Sequence, residues 1–134
     1  MKQIIAALAA AVLAGCAAST PQEARDMGPE RRYAFDVDAD YQTVYRRVVG
    51  VARQCYQGSL ITANMVVNSD LYPDLRRGEV SVGMYGAMQQ VYQVIDIEAR
   101  ADGGTAVHAV YPLGPIDTQG AKLREWATGS GSRC

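Results

Sequence analysis

Catalytic vocabulary is sparse in this chain. Its 134 residues include one histidine (His108), one tryptophan, one phenylalanine and three cysteines. There is no G-x-S-x-G, H-E-x-x-H, P-loop or dinucleotide fingerprint, so the usual signatures of nucleophile, zinc, phosphate and dinucleotide chemistry are missing. A metal centre normally draws on several ligands, and His108 has no ligand-type neighbours at a recognised spacing; it reads as a surface or half-buried structural residue. Thirteen Lys and Arg face fourteen Asp and Glu, a formal net charge of −1. That balance lacks the basic footprint nucleic acid requires. The expectation is a non-enzymatic protein with no metal, no cofactor and no nucleic-acid partner.

A hydrophobic run long enough to span a bilayer, roughly 20 residues, is also missing. What is present is shorter. Lys2 precedes the uncharged run Ile4 to Leu13, which has the length of a signal-peptide core. It ends in Leu13-Ala14-Gly15-Cys16. This order of apolar, small, small and cysteine resembles the lipobox of bacterial lipoproteins. The resemblance implies a diacylglyceryl group on the Cys16 thiol, cleavage before Cys16 and acylation of the new N-terminus, an anchor of two or three acyl chains that holds the protein to the membrane. Ala17 stands where an Asp in many lipoproteins marks inner-membrane retention. For a Gram-negative source, this implies the periplasmic face of the outer membrane.

The resulting division is a signal peptide over 1–15, a lipidated N-terminus and tether over 16–32, and one periplasmic domain over 33–134. The tether reading rests on polar residues, Pro21, Pro29 and Gly28 without an apolar period; such a segment would span roughly 20 to 25 Å. With Cys16 assigned to lipid, Cys55 and Cys134 remain, and export would place them where disulfides persist. A Cys55–Cys134 bridge is expected. A buried free thiol at Cys55 and an intermolecular bridge through Cys134 are the alternatives.

Within the domain, Tyr33, Phe35 and Val37 alternate as a strand. Asp38 or Asp40 can cap a helix from Tyr41 to about Tyr56, whose apolar residues recur with helical spacing. Its arginines Arg46, Arg47 and Arg53 read as a solvated face. Four further strands are expected at Leu60–Val67, Glu79–Met88, Val91–Ala99 and Thr105–Tyr111. Ala101-Asp102-Gly103-Gly104 forms a hairpin turn between the last two, and Ser69–Gly78 reads as a longer loop because of Pro73 and Gly78. Asp117 or Thr118 can start a second helix ending near Thr128, with Leu123, Trp126 and Ala127 toward the sheet. The order β-α-β-β-β-β-α is α+β, an antiparallel sheet of about five strands with two helices mainly on one face. This layout resembles the small helix-grip-like domains of envelope lipoproteins, including the C component of the β-barrel assembly machinery; the likeness is one of layout and setting.

Candidate binding residues come from two features. Eight tyrosines outnumber a single phenylalanine, and Tyr85, Tyr92 and Tyr111 fall in expected strands, where amphipathic rings would furnish a binding face if helices leave it uncovered. The stretch Leu71-Tyr72-Pro73-Asp74-Leu75-Arg76-Arg77-Gly78 joins apolar residues to two arginines, so Tyr72, Arg76 and Arg77 complete the set. Gly83-Met84-Tyr85-Gly86 reads as a bulge or sheet bend, and Asp96 and Glu98 as the solvated side of a strand. The leading expectation is an envelope protein that binds another envelope protein. The alternative is a small-ligand carrier or sensor with a pocket between sheet and helix.

Overall fold

The computed structural model describes residues 17–134; the signal segment and Cys16 lie outside the described residues. The fold is α+β. Its elements are α1 (Pro21–Arg25), β1 (Arg32–Val37), α2 (Tyr41–Tyr56), β2 (Gly58–Ser59), β3 (Ala63–Tyr72), β4 (Arg77–Gly86), β5 (Gln90–Ala99), β6 (Thr105–Val110) and α3 (Ile116–Thr128). The six strands form one antiparallel sheet in the order β1-β6-β5-β4-β3-β2.

Helix α2 forms where its apolar period places it. Asp40 caps it through a bond from the Thr43 amide at 3.0 Å, and Val44, Val48, Val49 and Ala52 point inward. They meet the sheet face formed by Phe35, Val37, Val67, Val80, Val82, Ile95, Ile97, Val107 and Ala109, together with Leu123, Trp126 and Ala127 of α3. Helix α3 starts at Ile116 behind Pro115 with no side-chain cap and closes at Gly129, whose left-handed φ of 76° turns the chain out of the helix. Gly120 lets α3 lie on β1, because a Cβ there would collide with the Tyr33 ring. Trp126 is a core residue, and its indole N–H donates to the Arg133 carbonyl at 2.9 Å. The Cys55–Cys134 disulfide is formed, with Cα atoms 5.3 Å apart, and joins the end of α2 to the tail beyond α3.

The segment expected to be a free tether is instead folded onto the other face of the sheet. Thr20 and Glu23 form a reciprocal capping box around α1. Ala18 and Ala24 are buried against Val91, Val94 and Val110, and the Val91 N–H donates to the Ala18 carbonyl at 2.8 Å. The short alanines conceal this packing from a hydrophobicity reading, which finds no sustained apolar period. Val91 and Val94 can share that face because an extra residue bulges the β4–β5 ladder, where Val82 pairs with Gln93 and Gly83 with Val91.

Two strand boundaries also differ from expectation. Strand β3 begins at Ala63 and continues to Tyr72, so the loop expected over Ser69–Gly78 shrinks to a 3₁₀ turn at Pro73–Leu75. Continuous pairing from Ala63 with Gly86 to Tyr72 with Arg77 supplies the ladder that local propensity does not. Leu60 and Ile61, expected within a strand, are exposed next to the two-residue strand β2.

Candidate interaction surface

The turn between β3 and β4 carries three of the candidate residues. Arg76 adopts a left-handed φ of 51°, which reverses the chain so that Arg77 pairs with Tyr72. The Arg77 guanidinium lies 5.4 Å over the Tyr72 ring, within cation–π range, and its Nη2 contacts Glu79 at 2.9 Å. The turn is held to the sheet at its base, where the Ala99 N–H donates to the Arg76 carbonyl at 3.0 Å. Leu71, Tyr72 and Leu75 are exposed around it. Arg76 is exposed and in no ion pair among the described residues.

Tyr85 and Tyr92 are elsewhere. They occupy the far part of the sheet on β4 and β5, and Tyr85 is roughly 26 Å along the strand from Arg77 at the usual rise per residue. The Tyr85 ring leans over Gly83, where an added Cβ would lie 3.1 Å from it. Gly86, with φ of 146°, passes so close to Thr62 and Ala63 that a side chain would not fit. The glycine-rich stretch adjoins the irregularity in the β4–β5 ladder between Val82 and Gly83, in line with its reading as a bulge or sheet bend. Tyr111 does not belong to a binding face: it is fully buried in the main core. Its hydroxyl donates to the Gln119 carbonyl at 3.3 Å, and burial, aided by Tyr56 and Tyr33, pushes the phenol far above its ordinary range.

On the sheet face carrying α1, a charged group went unread in the sequence. Arg25 donates from Nη2 and Nε to the two Asp96 oxygens at 2.8 and 3.2 Å, and its Nη2 lies 3.3 Å from Glu79. The hydrogen bond to Asp96, opposed by desolvation, raises the guanidinium pKa further. Asp96 is thus half-buried and paired, not merely solvated. The signal available in sequence was one arginine at the end of a capped turn, which names no partner. Hollows of about 170 and 180 Å³ flank Arg25, the first reaching Asn68, Asp70 and Ser81, the second Arg32, Ala34 and His108. His108 is exposed and in register with Asp96. Among the described residues no three His, Cys, Asp or Glu side chains are grouped to hold a metal.

The arginines of α2 are engaged structurally. Arg47 donates to the carbonyls of Ala127 and Thr128 at the end of α3, both at 3.3 Å, and Arg53 to the Ser69 hydroxyl at 2.8 Å. The layer between sheet and helices, where a ligand pocket was the alternative expectation, is filled by core side chains. Two wider hollows, about 410 Å³ each, open on the surface beside the C-terminal tail and beside β2. No helix among the described residues is long and apolar enough to cross a membrane. No protein-family model matches this chain, and no curated protein is significantly similar to it in sequence.

Proposed function

We propose that this chain is a lipid-anchored envelope protein, held to the membrane through Cys16, whose folded domain binds another envelope protein without catalysing a reaction. The observation that carries the reading is the pairing of Cys55 with Cys134. A disulfide of this kind persists in an oxidising compartment outside the cytosol, and it leaves Cys16 as the one remaining cysteine, at the position a lipobox requires. Ala17 favours the outer membrane, with the domain on its periplasmic side.

The folded α1 segment changes the geometry of such an anchor. Ala18 is docked on the sheet, so only Ala17 separates the proposed lipidation position from the docked segment. The domain would sit against the lipid headgroups with the α1 face toward them. Tyr72, Arg76 and Arg77 would stand at the lateral end of the sheet, where Leu75 and Arg76 are accessible to a protein partner; Tyr85 and Tyr92 would form a separate contact near the opposite end.

The experiment is metabolic labelling of the full chain with a clickable fatty acid, followed by membrane fractionation and crosslinking. Label and membrane association should both disappear in Cys16→Ser. Replacement of Pro73–Arg76 by a neutral turn should remove a reproducible crosslinked partner while leaving the label. Retention of the domain on membranes without label would refute the anchor, and an unchanged set of crosslinks would refute the binding surface.

A further inference from the structure

Strand β3 has an open edge. Strand β2 pairs only with Asn64 and Met65, so residues 66–72 have β4 on one side and, among the described residues, no strand on the other. Two hydrogen bonds show which backbone groups face outward: the Leu60 N–H donates to the Ala63 carbonyl on the β2 side at 2.8 Å, and the Ala87 N–H to the Thr62 carbonyl on the β4 side at 3.1 Å. Because these groups alternate along a strand, Val67, Ser69 and Leu71 present their N–H and C=O to the open side. Such a row is a template for another strand. Pro73, with no N–H, ends it.

We infer that the occupant of this edge is the same edge of a second copy, paired antiparallel about a two-fold axis at Ser69. Residue 69 is the midpoint of the open stretch 66–72, so this register uses all of it. Ser69 meets its own copy, Val67 faces Leu71, Val66 faces Tyr72, and Asn68 faces Asp70. Apolar residues oppose apolar ones, the carboxylate opposes an amide, and no two charged strand residues meet; each copy also brings to the axis the Arg53 guanidinium that donates to its Ser69 hydroxyl. About six new backbone hydrogen bonds form, two at each outward-facing pair.

Neighbouring registers are worse. Moving two residues one way sets Asp70 against Asp70 and brings Pro73 into the ladder. Moving the other way drives Leu71 onto Met65, which already pairs with Gly58. The opposite edge of the sheet, β1, is differently made: the Arg32 guanidinium is bound to the carbonyls of Arg25 and Met27, and Asp36 to Arg100 at 2.9 Å. The β3 edge instead ends in the exposed Leu71 and Tyr72. The joined sheet would have twelve strands, with both copies of α1 on one face, because a two-fold that extends a sheet in this way runs perpendicular to it.

The test is proximity of two Ser69 residues, since Cα atoms of such a pair lie about 5.5 Å apart. The full chain carrying Ser69→Cys is treated with a short bifunctional thiol reagent and compared with the unsubstituted chain. A covalent homodimer above that baseline is expected. Ala34→Cys, on the outward side of β1, should give none. Adding Leu71→Lys to Ser69→Cys should cut the dimer roughly tenfold by setting a charge against Val67 of the other copy. In sedimentation the full chain should shift toward twice its mass with concentration, and Ser69→Pro should abolish the shift; residue 69 points its N–H away from β4, so proline there leaves the internal ladder whole. The inference fails if Ser69→Cys is alkylated but not crosslinked, if Ala34→Cys crosslinks equally, if the chief product joins a different protein, or if Ser69→Pro still dimerises.

Discussion

Arg25 and Asp96, 71 positions apart in sequence, meet through two hydrogen bonds at 2.8 and 3.2 Å, both side chains about three-quarters shielded from solvent. This contact makes the segment expected to be a tether part of the fold. The pair is bidentate and charge-assisted, the stronger kind of hydrogen bond, and the small apolar cluster of Ala18, Ala24, Val91, Val94 and Val110 lies alongside it.

Removing the carboxylate should release this segment before it unfolds the domain. Asp96→Ala is expected to raise the rate of tryptic cleavage after Arg25 by about tenfold, the equivalent of roughly 1.4 kcal/mol of local stability. The melting temperature should shift by only a few degrees. A global loss of structure with no separate local opening would show that the segment and the main core unfold as one unit.

The disulfide closes a separation of 79 residues. Chain entropy alone assigns such a loop roughly 4 to 5 kcal/mol, and measured bridges deliver about 2 to 4. Cys134→Ser should lower the unfolding free energy by about that measured range in urea titrations. Dithiothreitol should have the same effect on the unsubstituted protein and none on the variant.

Two helical glycines should respond in opposite directions to the same substitution. Gly50 in α2 has nothing within 4 Å of an added Cβ, and Gly50→Ala should stabilise by about 0.5 to 1 kcal/mol through helix propensity. Gly120 in α3 has the Tyr33 ring where the methyl would go, and Gly120→Ala should destabilise by about 1 to 3 kcal/mol. Thermal unfolding of the two variants side by side checks the pair.

The stability profile should fall at both ends of the pH range. Hydrogen bonds from the Thr43 side chain and amide lower the Asp40 pKa below its ordinary value of 3.8. Its contribution is therefore full above that value and lost as pH falls through the lower folded one; Asp40→Asn should flatten the acid limb. Tyr111 shifts upward, chiefly through desolvation, from 10.0. Its contribution is present below pH 10 and lost as pH rises toward the folded value. In an ultraviolet titration Tyr111 should ionise only as the protein unfolds, and Tyr111→Phe should flatten the alkaline limb.

Helix α2 was legible in place and extent, because its period and cap act over three or four neighbours; of the two cap candidates, Asp38 and Asp40, the structure uses Asp40. The hairpin at Asp102-Gly103 was legible for a similar reason: Gly103 sits at φ of 88°, where a side chain is strained. The β3 extension was not. Asn68, Ser69 and Asp70 carry weak strand propensity, and their conformation comes from the ladder to Ser81, Val80 and Glu79. Among the binding candidates, Tyr72, Arg76 and Arg77 fall together because one tight turn holds them. Tyr85 and Tyr92 are separated from them by the length of the sheet, and Tyr111 is lost to the core because it follows β6 on the helix-covered face.

By itself, then, the sequence determined what local chemistry controls: the places of α2 and α3, the turn glycines, the alternation that marks the central strands, and three cysteines of which two can pair. Tertiary structure decided which surfaces are covered and which are open. Ala18 and Ala24 are too small to announce burial, Arg25 finds Asp96 only when α1 folds across β5, and the open edge at Val67, Ser69 and Leu71 exists because β2 stops after two residues. Each of these depends on contacts between segments far apart in the chain, and no local propensity encodes them.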